Sequence, residues 1–339
     1  MTLLKTVFKG HKNKPVVIFI HGLGMDQQIW IDPFESRVLA GELHITTLMC
    51  KKPQPRDFGR SEHKPEGNFN RFSIGEQPDT LRTLFHDLRE KGYTVVTWSQ
   101  KRPAAPMESI VDELKAIVEE AHTYAKAGII LVGHSRGGLV GRKYIMGKDR
   151  SIRGLVTIST PHNGSSLARI STYLSPLAKI LGQFFSEREK GTLSYMIKKM
   201  AGFLKSQALK ELLPGSKCIR SFNDRPRAGV SYVTIGGTNP TLFSLYRWKW
   251  DVVREGGYQR WFLKPEELFS VPDVFEKVVP SKLYPEEMQE GKGDGLVSAE
   301  SSRLPWDSEH HVFHLNHAQI LFDRDARETV MKAIEKITD

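Results

Sequence analysis

The residues with the clearest chemical meaning are Gly133-His134-Ser135-Arg136-Gly137-Gly138, which follow the apolar run Ile129 to Val132 directly and precede a helical pattern. A bare G-x-S-x-G arises by chance in roughly one chain in ten of this length when Gly and Ser each make up ~7% of residues. On a strand-to-helix junction the pattern is far more specific, because the sharp turn strains the serine and needs glycines to admit neighbouring backbone. Such a turn lifts the serine oxygen above a sheet, where a histidine can take its proton; the chemistry is nucleophilic acyl transfer. A tight structural turn is the bland alternative for Ser135.

Acyl transfer also needs donors for the developing oxyanion, a base, and an acid that orients the base. His21-Gly22-Leu23-Gly24 follows the first apolar strand. A glycine-flanked loop there lets the Leu23 N–H turn inward and join the N–H of Arg136, the residue after the nucleophile; a simple glycine turn explains the four residues equally well. Acid and histidine are expected further along, in that order. Asp294 sits in the glycine-rich run Gly293-Asp294-Gly295-Leu296-Val297, and His317 follows the last strand within Asn316-His317-Ala318. Asp273 and Asp307 compete for the acid, and His310, His311 and His314 for the base. Position favours His317, since His310 and His311 open the last strand at the wrong end of the sheet and His314 is expected to pack within it. His21 and His162, the latter in Thr160-Pro161-His162, are the substrate-binding candidates, although His162 reads equally well as part of a strand-ending turn.

These residues require a sheet to carry them. Val16 to Ile20, Ile45 to Met49, Thr94 to Trp98, Ile129 to Val132, Leu155 to Ile158, Tyr232 to Ile235 and Val312 to Leu315 read as strands buried on both faces. Between them Leu81, Leu84, Phe85 and Leu88 recur at helical spacing, as do Ile110, Val111, Leu114, Ile117 and Val118. Leu139, Tyr144 and Ile145 begin another helix, and Ile320 to Ile337 closes the chain with a last one. The alternation predicts an α/β fold with a mostly parallel, doubly wound sheet. Two stretches break it. Residues 165–220 are helical without a strand, a helical cap inserted into the core, and about 239–293 is rich in aromatics with weak periodicity. The expected organisation is a core of 1–164 and 221–339 with the cap at 165–220.

Composition bounds the class. At 339 residues, 39% apolar and 26% charged, the chain resembles an ordinary globular protein. Its longest apolar runs are strand-sized, short of the ~20 residues that span a bilayer, and no signal-peptide core follows the early lysines, so the reading is cytoplasmic. Cys50 and Cys218 are too few for a disulfide framework or a metal cluster. The net charge of +10 raises nucleic acid as a partner, but the basic residues are scattered and carry no nucleic-acid-binding signature. Only residues 165–220 concentrate charge, with ten Lys or Arg against three Glu. Lys198, Lys199, Lys205 and Lys210 beside an apolar stripe suit peripheral contact with an anionic membrane surface, while a fixed cap packed on the core explains the stripe as well.

Val17-Ile18-Phe19-Ile20-His21-Gly22, the Ser135 motif, Thr160-Pro161-His162-Asn163-Gly164-Ser165, Asp294-Gly295-Leu296-Val297 and Asn316-His317 together resemble the bacterial true lipases and their esterase relatives within the α/β-hydrolases. They are also similar to the lipase-like inositol deacylases that act on glycosylphosphatidylinositol. The resemblance implies Ser135 as nucleophile, Asp294 as acid, His317 as base, Leu23 and Arg136 as oxyanion donors, and an acyl ester or lipid as substrate. Asp57-Phe58-Gly59-Arg60-Ser61 resembles a structural loop of the superfamily. Bacterial true lipases carry a calcium-binding aspartate two residues after the catalytic histidine, where this chain has Gln319; neither a metal nor a cofactor is signalled. The expected activity is a serine carboxylic-ester hydrolase, with an amidase, an acyltransferase or a non-catalytic binding protein on the same fold as alternatives.

Overall fold

The computed structural model describes residues 3–38, 43–67, 72–147, 149–167, 169 and 206–338. Its centre is a seven-stranded sheet of β1 (Lys5–Phe8), β2 (Val16–Ile20), β7 (Thr94–Trp98), β8 (Ile129–His134), β9 (Ile152–Ile158), β10 (Ser231–Gly237) and β13 (Glu309–Phe313), in the order β1-β7-β2-β8-β9-β10-β13. Only β1 runs antiparallel to its neighbour. Strand alternation divides the core in two. Val16, Ile18, Ile20, Leu131 and Leu155 point to one face, against α3 (Met107–Ala121) and α4 (Arg136–Ile145). Val17, Phe19, Ile130, Val132 and Val156 point to the other, against α1 (Gln28–Ile31), α2 (Leu84–Glu90) and α8 (Arg324–Thr338). Both faces are covered, as the doubly wound α/β reading requires.

Three expected elements differ. Ile45 to Met49 is a 3₁₀ helix, with Ile45 to Leu48 buried. A five-residue apolar run does not fix its own period, and the sheet position beside β7 is taken by β1, whose Lys5-Thr6-Val7-Phe8 lacks the apolar run of a buried strand. The last strand begins three residues earlier than expected and ends at Phe313; as an edge strand it need not be apolar on both faces. The final helix is preceded by a 3₁₀ turn at Gln319–Leu321, and Asp323 accepts the Ala326 N–H to start α8 afresh.

The aromatic stretch contains a long hairpin of β11 (Phe243–Glu255) and β12 (Tyr258–Val271), turning at Gly256 and Gly257, both at positive φ. It forms a second sheet with β5 (Arg56–Arg60) and β6 (Phe72–Ser73), so Asp57 to Arg60 is a strand and not a loop. One face gathers Trp250 against Phe58 and Trp261. The other carries Arg247 and Lys249 on Glu266, Lys264 on Asp251, and Arg260 on Asp57. Lys198, Lys199 and Lys205, with most of the expected cap, lie outside the described residues. Its return, α5 (Gln207–Glu211) and α6 (Lys217–Arg220), is helical; Leu209 and Leu212 join the core and Lys210 is exposed. Among the described residues no helix is long and apolar enough to cross a membrane.

Candidate active site

Ser135 links β8 to α4 with φ 53° and ψ −128°, a backbone that L-residues adopt only where the surroundings enforce it. The glycines explain how it is enforced. A Cβ on Gly137 would stand 2.3 Å from the Ile20 carbonyl oxygen, and one on Gly22 would stand 3.0 Å from Ser135 Cβ. The elbow is thus wedged against the end of β2 and the His21-Gly22 loop, and the serine itself remains half-exposed.

Across the carboxyl ends of β9 and β10, the structure brings Asp294 and His317 together. His317 Nδ1 donates to Asp294 Oδ2 at 3.0 Å, both side chains being buried. The other carboxylate oxygen accepts the N–H groups of Leu296 and Val297, at 3.0 and 2.8 Å, and the Asp294 carbonyl accepts the His317 N–H. Asn316 pins the histidine turn, donating to the carbonyls of Leu48 and Thr241 and accepting from Ala318 and Gln319. With Nδ1 protonated toward the carboxylate, Nε2 is left as the basic nitrogen. The rival groups lie elsewhere. Asp273 and Asp307 are exposed. His310 bonds Thr234, and His311 pairs with Glu309. His314 is exposed beside Glu290, so the expectation that it packs inside a strand is corrected: β13 has already ended.

His134 was legible only as a letter of the motif. It is fully buried, donates Nε2–H to the His317 carbonyl at 3.1 Å and packs against the His317 ring in a tilted contact with centroids 4.7 Å apart. Burial, reinforced by the neighbouring His317, holds its pKa well below the usual value, so it packs as a neutral ring. The sequence signal for it is its place as the last residue of β8, directly before the candidate nucleophile.

His21 and His162 are buried and face protein groups. His21 donates Nδ1–H to the Gly22 carbonyl and accepts the Gln100 N–H at Nε2, which ties the first loop to the chain after β7. His162 accepts from Arg142 at Nδ1 and meets Thr157 Oγ1 at Nε2. Neither has a nitrogen left for a substrate in this arrangement. Burial pushes the His21 pKa down to about 4 and that of His162 well below its usual value. An unfolded chain therefore binds protons that the folded one refuses. Stability is full above about pH 6.5 and is lost as pH falls toward 4, on the order of 3 kcal/mol from His21 alone. Denaturant unfolding at pH 7, 6, 5 and 4.5 is expected to show that decline, and His21→Gln to make it shallower, with His134 and His162 supplying the remainder; an unchanged slope in the variant would contradict the assignment.

Arg136, whose N–H is the expected second oxyanion donor, has a buried guanidinium that donates to the carbonyls of Pro103 and Ala105 and pairs with Glu211 at 3.1 Å. Burial lowers its pKa and Glu211 opposes that. Gln319 receives the Asn316 N–H through its Oε1. Among the described residues no three His, Cys, Asp or Glu side chains gather as a metal site. A strong chelator is expected to leave the melting temperature unchanged, which differential scanning fluorimetry would check; a large drop restored by calcium would identify a site built from other carboxylates.

The mostly parallel sheet with helices on both faces, the strained serine at a strand-to-helix elbow, and the late Asp–His pair are arranged as in the α/β-hydrolase fold. The palmitoyl protein thioesterase family profile matches residues 74–219, which include the elbow. Among solved structures the chain is similar to the mature form of the Bacillus licheniformis lipase BlEst2, at 17% identity over 97% of each chain with a TM-score of 0.54. The propeptide form of that lipase gives 17% identity and a TM-score of 0.53, covering 98% of this chain and 54% of that one. At these identities the likeness is one of fold. No curated protein matches the sequence.

Proposed function

We propose that the chain is a serine carboxylic-ester hydrolase acting through Ser135, His317 and Asp294. The observation that carries the reading is the buried Asp294–His317 pair, 3.0 Å apart, over the same sheet edge as a serine held at φ 53°. Ser135 Oγ adds to the acyl carbon as its proton passes to His317 Nε2, and Asp294 stabilises the resulting imidazolium. The N–H groups of Leu23 and Arg136 hold the tetrahedral oxyanion. The proton then moves from Nε2 to the departing alkoxide, leaving acyl-Ser135, and a water repeats the sequence to release the acid.

A fluorophosphonate probe is expected to label Ser135 stoichiometrically, and a nitrophenyl ester series from acetyl to palmitoyl to show a preference for chains longer than acetyl. Longer chains bury more apolar area, about 0.8 kcal/mol per methylene. Absence of labelling would refute the assignment, and strict selectivity for acetyl would remove the acyl-chain preference.

The thioesterase profile over residues 74–219 favours a second reading, in which the acyl group arrives as a thioester. A thiolate leaves more readily than an alkoxide because the thiol is much the stronger acid, with a pKa near ~8.5. Matched ester and thioester substrates of one acyl chain, compared by kcat/KM, decide between the two.

A further inference from the structure

Arg136 stands against two preferences at once, at a position where its motif does not ask for it. It is a cation at the first position of α4, where the positive end of the helix dipole disfavours it. Its side chain is only 2% exposed, so its charge is desolvated. The G-x-S-x-G pattern leaves the residue type at this position free. A local choice that violates two such preferences marks a place where function outweighs stability.

The guanidinium reaches two separate parts of the chain. Nη1 donates to the Pro103 carbonyl at 3.1 Å, and Nη2 donates to Ala105 at 2.6 Å and to Glu211 Oε2 at 3.1 Å. Glu211 ends α5, and from it a path of bonds leads back to the acid. The Leu212 carbonyl accepts the Ser165 N–H at 2.7 Å, and Ser165 Oγ donates to the Leu296 carbonyl at 2.9 Å, two residues from Asp294. Glu287, also buried, closes the same knot. Its carboxylate accepts the Ser166 N–H at 2.6 Å, and its carbonyl accepts the Gly295 N–H.

We infer that Arg136 and Glu211 form a positioning pair for the oxyanion hole, fixing the first turn of α4 so that the Arg136 N–H keeps its aim. The N–H at a helix start has no partner within the helix, and its direction follows the backbone of that first turn alone. Anchoring the side chain of the same residue to Glu211 resists rotation of the turn when charge develops on the substrate. The Leu212–Ser165–Leu296 path keeps the anchor in register with the acid. The inference rests on the ester-hydrolase reading above.

The test is kcat and KM on nitrophenyl butyrate for the wild type, Glu211→Gln, Glu211→Ala, Arg136→Lys, Arg136→Met and the double variant Arg136→Met/Glu211→Ala. Losing an oxyanion donor outright costs about 10²–10³ in kcat; a misaimed donor in Glu211→Ala is expected to cost about 10 to 100-fold, with KM within about twofold. Glu211→Gln keeps an acceptor oxygen and should retain most of the rate. Arg136→Lys cannot reach all three acceptors and should lose more. The double variant should be no slower than the slower single one, because the two residues act as a unit.

A Glu211→Ala protein that turns over at the wild-type rate well below its melting temperature would overturn the inference, as would losses that multiply in the double variant. Should Glu211→Ala fail to fold, the order Glu211→Gln above Arg136→Lys in kcat carries the test, and equal wild-type rates in both would overturn it. Ester turnover that survives Ser135→Ala would instead strike the hydrolase reading. A dead Ser135→Ala beside a wild-type Glu211→Ala strikes only this inference.

Discussion

Ser135→Ala and His317→Ala are each expected to remove nearly all ester turnover, a loss on the order of 10⁴ to 10⁶ in kcat, while the melting temperature stays close to that of the wild type. In the proposed triad the two residues act as one unit, so either deletion should leave only the rate supplied by the oxyanion donors and by binding. Asp294→Asn is the sharper experiment. The carboxylate accepts from three N–H groups, those of His317 Nδ1, Leu296 and Val297. An asparagine keeps one acceptor oxygen. With that oxygen committed to the loop amides, its NH₂ faces His317 Nδ1 and favours the tautomer that has already lost its basic Nε2. A fall of about 10⁴ in kcat with little change in KM is expected. Steady-state kinetics beside a thermal melt would check all three variants, and wild-type kcat in any one of them would remove that residue from the mechanism.

Arg142→Ala is expected to be the most destabilising single change outside the site, by about 3–5 kcal/mol, because it strands a poorly solvated carboxylate. Arg142 is fully buried on α4 and grips both oxygens of Asp224, at 3.0 and 2.7 Å. Its guanidinium also lies 4.8 Å from the Phe222 ring centre and 5.0 Å from that of Trp306, and it donates to His162. Removing the side chain deletes all of these contacts at once. Asp224→Ala should cost a comparable amount, and the double variant clearly less than the sum of the two, since neither charge is then left alone. Urea unfolding followed by far-UV circular dichroism would measure the cycle; an Arg142→Ala protein within 1 kcal/mol of wild type would show that the pair contributes no net stability.

The strands that carry the site were legible because each is buried on both faces and so reads as a bare apolar run: β2, β7, β8, β9 and β10 all did. Where burial is one-sided or partners are distant, the signal fails. The 3₁₀ helix at Ile45–Met49 reads like a strand in sequence, but the sheet position beside β7 is held by β1. In the hairpin, Trp248, Trp250 and Val252 do alternate with Arg247, Lys249 and Asp251, but the aromatic density hid the period. Ser135, Asp294 and His317 could be picked out as candidates because glycine-rich turns and chain order announce them. His134, Glu211 and Glu287 were not, because each takes its meaning from a partner far away in sequence, respectively His317, Arg136 and Ser166.

The hairpin also gives the protein two distinguishable optical reporters. Of the six tryptophans, Trp30 and Trp98 are sealed in the core, whereas Trp248, Trp250 and Trp261 share the half-buried face of the second sheet. Trp248 there lies under Arg56, and Trp250 lies near Lys64. Emission from the first pair should be blue and slow to quench with acrylamide, and emission from the hairpin redder and readily quenched. If the arm opens before the core, the emission maximum will shift at lower denaturant than the circular dichroism, and the gap between the two midpoints measures how independently the arm unfolds.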